Sequence, residues 1–163
     1  MNYRTTSYAE IEAAVSQYTT EVTALMIFTP SITFANAVLN HPAVRPTAEC
    51  GAYRISAEAV LLTPGTVAVA FNFGLAVFVK HPNEEYDGHI FILPEGRGAL
   101  AIRFGKLALA ALASSVAGNP RLHTGVPLVL PAARGYCKRL GLKPVGRDLF
   151  NEYFTTEIQS WAA

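Results

Sequence analysis

The sequence predicts an α+β fold, with helices set around one central sheet. Three observations carry that expectation. Helical spacing comes first in the chain, short β-rich runs separated by turn signals follow, and a helix–strand–helix–strand order closes it. At 163 residues the chain is long enough to bury a real core and is read as one domain spanning 1–163.

The elements are justified in order. Ser7-x-x-Glu10 forms a capping box, and Ile11, Val15, Tyr18 and Val22 recur at helical spacing, so a helix is predicted from residue 7 into the low twenties. Pro30 interrupts, and 31–39 gives a second helix that ends before His41-Pro42. Residues 42–57 are weakly patterned and are read as loop. The runs 60–63, 67–71 and 75–79 are β-rich, and Pro64-Gly65 and Asn72-Phe73-Gly74 separate them as turns. A polar turn at 81–85 leads to a strand at 86–93, which completes an antiparallel meander. An Ala/Leu-rich helix is predicted over 99–116 and stops at Gly118-Asn119-Pro120. Then come a strand at 125–130, a helix at 131–140 opened by Pro131 and closed by Gly141, and strand-like pieces at 143–147 and 152–156.

Composition excludes several function classes. The net charge of +1 makes no electrostatic case for nucleic acid or for an anionic membrane surface. The late basic residues (Arg134, Lys138, Arg139, Lys143, Arg147) have little aromatic interleaving and read as a solvated face. Charged residues make up only 15% of the chain, against about 25% in an ordinary globular domain. Either Ala, Gly, Thr and Pro supply an uncharged soluble surface, or part of the surface is covered by other protein subunits. Cys50 and Cys137 are too few for a disulfide framework and lack metal spacing, which fits a reducing interior. The first residues lack the apolar core of a signal peptide, and no apolar tract reaches bilayer length, so a soluble protein is expected. No Gly-x-Ser-x-Gly, Walker loop or Cys-x-x-Cys supports a hydrolase, nucleotide or redox reading.

The stretch 86–101, YDGHIFILPEGRGALA, is the most informative. A strand that turns abruptly into a helix leaves free backbone N–H groups aimed at one point, and such a point attracts anions. A phosphorylated cofactor can sit there.

Two segments resemble the GNAT superfamily of N-acetyltransferases. Pro94-Glu95-Gly96-Arg97-Gly98 matches the start of that family's Pro-x-x-Arg-Gly-x-Gly-x-Gly/Ala turn. Ala133 and Leu140-Gly141-Leu142 through Gly146 are similar to the family's Asn-x-x-Ala-x-x-x-Tyr-x-x-Leu-Gly-Phe segment. The resemblance implies an acyl-CoA N-acyltransferase fold with a mostly antiparallel mixed sheet. It implies acetyl-CoA held by the strand amides of Phe91, Ile92 and Leu93 and by the turn Arg97, Gly98, Ala99, Leu100, Ala101 and Ile102. More narrowly, the strand and its turn are similar to the GNAT-like proteins of tailed phages and prophages, some of them associated with the virion or head assembly.

The departures fall where chemistry would be. Leu100 and Ile102 stand at the family's later small positions of the turn, which implies weakened or lost cofactor binding. The tyrosine that protonates the departing thiolate in the family aligns with Cys137, with Tyr136 one residue earlier, and the asparagine position is Leu130. His89 is the candidate general base by place and by intrinsic pKa. Glu84, Glu85 and Asp87 read as a turn surface, and His41, His81 and His123 as scattered, so no metal site is expected.

Two readings follow. The leading one is a degenerate GNAT fold kept as a phage-type structural or assembly protein, bound to other subunits and located in the host cytoplasm or the virion. The alternative is an acetyl-CoA-dependent N-acetyltransferase in which an amine attacks the thioester directly. His89 would then be the base, and Tyr136 or Cys137 a weak acid.

Overall fold

The computed structural model describes residues 25–47 and 54–162. The predicted first helix and Cys50 lie outside the described residues.

Helix α1 spans Ile32–Leu39 and starts where expected, because the Ser31 side chain accepts the Phe34 N–H at 3.1 Å. Helix α2 spans Ala57–Leu61, and here the expected strand at 60–63 is corrected. Ser56 caps it by accepting the Ala59 N–H at 3.2 Å, and Ala-Glu-Ala favours a helix over a strand. Asn36 and Asn40 tie the two helices together. The Asn36 side-chain oxygen accepts from Ala57 N, and the Asn40 amide both donates to and accepts from the Ile55 backbone.

Among the described residues six strands form one sheet, in the order β1-β2-β3-β4-β6-β5. Strands β1 (Val67–Phe71), β2 (Gly74–Lys80) and β3 (Tyr86–Ile92) make the expected antiparallel meander. Strand β4 spans Arg121–Pro127, starting four residues before the predicted strand and ending three residues earlier. Its alternation of buried Leu122 and Val126 extends back through Arg121, and Leu128 has already left the strand. Strands β5 (Lys143–Arg147) and β6 (Asn151–Glu157) complete the other half, each antiparallel to its neighbour. Among the described residues only β3 and β4 run parallel, so the sheet is mixed and mostly antiparallel.

Helix α3 (Ala99–Ser115) lies on one face, α1 and α2 on the other. Strand alternation sorts the side chains accordingly. Val69, Phe71, Ala76 and Phe78 pack with Phe104 and Ala108 of α3, and Phe71 stacks on Phe104 with ring centroids 4.2 Å apart. Ala70, Leu75 and Val77 pack with Phe34, Val38 and Ala57. Helix α4 (Pro131–Leu140) joins the α3 side. It is bounded as expected by Pro131 and by Gly141, whose φ of 91° suits a glycine. Glu152 of β6 lies 3.4 Å from Arg134 and 3.5 Å from Lys138, fixing α4 over the sheet. Among the described residues no helix is long and apolar enough to cross a membrane.

Candidate functional site

Strands β3 and β4 are joined at their beginnings alone. Tyr86 lies opposite Leu122 and Asp87 opposite His123, and from Gly88 onward the strands part. Strand β3 meanwhile stays paired with β2 over all seven of its residues, so β3 keeps its place while a wedge opens beside it. The wedge holds a cavity of about 260 Å³. His89, Ile90 and Phe91 form one wall, Thr124 to Pro127 the other, and α3 and α4 the floor.

The exposed edge of β3 supplies hydrogen-bonding groups. Leu93 N–H donates to Phe73 O at 2.8 Å, which sets the parity of the β2–β3 ladder. Phe91 and His89 therefore bond toward β2, whereas the amides of Ile90 and Ile92 face the wedge. This corrects the expectation that the amides of Phe91 and Leu93 are open to a ligand; of the three named residues, Ile92 alone keeps that position.

After β3 the chain turns hard. A short 3-10 turn, Pro94–Gly96, follows Leu93, and Gly98 (φ 80°) starts α3. No side chain caps α3, and its first intrahelical bond is Ile102 N–H to Gly98 O. The N–H groups of Ala99, Leu100 and Ala101 thus have no partner within the helix, which leaves an anion-attracting end. Among the described residues a Cβ built on Gly98 meets nothing within 4 Å. Ile102, expected to crowd the turn, packs its side chain against the main core instead. Leu100 is half-buried, Ala99 exposed and Ala101 buried. Arg97 reaches away: its guanidinium donates to Ala43 O at 3.1 Å, on the loop after α1.

The expected acid candidates sit on α4 at the cavity floor. The Tyr136 hydroxyl donates to Ala101 O at 3.1 Å, and burial raises its pKa well above the ordinary tyrosine value. Burial pushes the Cys137 thiol up to about 11, helped by the nearby Glu152 carboxylate, against a smaller opposing backbone hydrogen bond. Leu130 also lines the cavity.

His89 points to the opposite face of β3, the α1 and α2 side, with about half of its side chain exposed at the cavity mouth. Asp87 lies beside it, one carboxylate oxygen 3.7 Å from His89 Nε2 and 3.8 Å from His81 Nε2. His123 Nε2 stands 3.3 Å from Glu85. His81 and His123, expected to be scattered, are therefore gathered: the β2–β3 turn brings His81 to Asp87, and the short parallel pairing brings His123 to the start of β3. Glu84 remains in the turn, and His41 Nδ1 accepts the Ala43 N–H at the end of α1. No group of three or more His, Cys, Asp or Glu among the described residues is placed to hold a metal ion. Sequence reasoning missed Thr124 and the Ile90 amide; the polar-to-apolar alternation of 121–127 was the signal for the first.

The arrangement of strands and helices is similar to that of several solved structures. The spermidine N-acetyltransferase of Vibrio cholerae, determined with CoA and spermine, is 13% identical with a TM-score of 0.67, over 84% of this chain and 97% of that one. The fold is the GNAT fold. A chimera of the same enzyme with its human counterpart gives a TM-score of 0.65 at 14% identity, over 85% of this chain and 98% of that one. The Campylobacter jejuni N-acetyltransferase PseH, determined with acetyl coenzyme A, gives 0.50 at 14% identity, over 62% and 74%. No family model matches the sequence, and no curated protein does.

Proposed function

We propose that the protein is an acyl-CoA-dependent N-acyltransferase, with acetyl-CoA the simplest donor and an amine as acceptor. The observation that carries this reading is the open wedge between β3 and β4, together with the tight turn after β3 that leads into the uncapped helix α3. A side-chain plug would have removed the site, and among the described residues none fills it. The GNAT-fold structures above, one with CoA and one with acetyl coenzyme A, support the same reading. The assembly role expected from the altered turn finds no such support.

The amides of Ala99, Leu100 and Ala101, with Gly98 beside them, would hold the donor's pyrophosphate. The β3 edge at Ile90 and Ile92 would orient the pantetheine arm and the acyl carbonyl. The amine nitrogen bonds to the acyl carbon, the carbon–sulfur bond breaks, and the nitrogen's proton passes to His89. The thiolate takes its proton from water, since the Tyr136 hydroxyl is committed to Ala101. Most of the rate then comes from holding the two reactants together.

Calorimetry with acetyl-CoA tests the reading. Binding is expected, and ligand at 100 times its Kd should add about 2.7 kcal/mol of stability. No heat and no thermal shift at millimolar acetyl-CoA would remove the enzyme from consideration.

A further inference from the structure

We propose that the site accepts acyl-CoA donors whose chain is longer than acetyl, with the extra hydrocarbon seated beneath β3. This rests on the transferase reading above and specifies its donor. The cavity does not stop at the strand edges: it continues under β3 as far as Ala76 and Phe78 of β2. Its inner wall is completed by Ala108, Leu109, Leu122 and Leu140. That end has no polar partner to give. Strand β2 pairs with β1 on one side and with β3 on the other, so the main chain at Ala76 and Phe78 is already hydrogen-bonded. The polar side chains on the wall lie elsewhere: His89 at the mouth, Thr124 beyond the paired start of β4, and Tyr136 and Cys137 on α4, the hydroxyl of Tyr136 already donated to Ala101.

The pantetheine arm carries two amides, which would be left unsatisfied in such a place and so belong at the open strand edges. A hydrocarbon chain loses nothing there and leaves water. The arm would occupy the part of the cavity between the strand edges, and the inner end lined by Ala76, Phe78, Ala108 and Leu109 is room in addition to it. Ala76 and Ala108 keep it open, because each contributes a single methyl where a larger side chain would fill the path.

The test is a calorimetric series on the intact protein with CoA, acetyl-, butyryl- and hexanoyl-CoA. Affinity should rise about fourfold per added methylene while the chain is being buried, so butyryl-CoA should bind roughly 15-fold more tightly than acetyl-CoA. In Ala108→Leu, and independently in Ala76→Val, the hexanoyl-to-acetyl affinity ratio should collapse toward one. If either variant fails to fold, the wild-type series decides alone. Acetyl-CoA binding with a series flat within twofold overturns this inference and leaves the transferase reading standing. Failure of CoA and of every thioester to bind overturns both.

Discussion

The Tyr136 hydroxyl donates to the backbone carbonyl of Ala101, 3.1 Å away in the first turn of α3. The bond makes Tyr136 a strut between α4 and the helix whose start would hold the donor, and burial keeps its phenol protonated. Tyr136→Phe should therefore cost about 1 kcal/mol in urea unfolding. Acyl transfer should stay within about twofold, far from the 10²-fold or greater loss of a general acid. A loss of that size with folding intact would restore Tyr136 as the acid.

Gly105 is what lets the tyrosine lie there. A Cβ at that position would overlap the Tyr136 oxygen and come within 2.9 Å of the Leu140 side chain. Gly105→Ala should destabilise by roughly 1–3 kcal/mol through overpacking, despite the better helix propensity of alanine. Adding Tyr136→Ala should recover part of that loss, because the two positions share one space. A double-mutant cycle with no coupling would show that the contact is absent in solution.

At Gly98 the cost lies in the backbone. Its Cβ has room, but φ of 80° is strained for any other residue. Gly98→Ala should lose roughly 1–3 kcal/mol, and relaxing that strain would re-aim the amides at the start of α3. Affinity for CoA should fall in this variant, while a short pantetheine thioester without pyrophosphate should bind as before. Equal losses for both ligands would place the phosphate elsewhere.

His89 stands at the wedge mouth, its Nε2 3.7 Å from the Asp87 carboxylate. As base it should be felt in turnover and hardly in donor binding. His89→Gln should lower kcat by 10²–10⁴-fold with a small amine acceptor, with acetyl-CoA affinity within twofold. Undiminished turnover in that variant would end the role.

Much of this architecture was legible because its signals are local. Asn72-Phe73-Gly74 announces the turn between β1 and β2, and Pro131 and Gly141 bracket α4. The run at 60–63 misled because a short apolar segment fits either period, and the Ser56 cap decided it. The site was harder to read. Its polar cluster gains His123 only through the Asp87–His123 register, a pairing 36 residues apart in sequence that no local pattern encodes (123 minus 87). The acid question turned on Gly105, a helical residue on another element whose missing Cβ gives Tyr136 its place. Leu100 and Ile102 looked alike as obstructions, and only the helix phase separated the one packed in the core from the other.

Cys137 gives the fold a pH dependence on the alkaline side. Burial raises its pKa from an ordinary 9.0 to about 11, so the unfolded chain releases this proton first as pH rises. Below about 9 both states hold the proton and stability is unaffected; between about 9 and 11 the unfolded state gains and stability falls. Tyr136, also raised by burial, adds a loss of the same sign above its ordinary value of 10. Urea unfolding at pH 8, 10 and 11 should show a decline on the order of 2 kcal/mol from Cys137. The decline should be flatter in Cys137→Ala. Alkylation at pH 8, followed by mass spectrometry on the peptide containing Cys137, should be slow in the native protein and fast in urea. Rapid native labelling of that peptide would mean the thiol is ionised and reachable from the wedge.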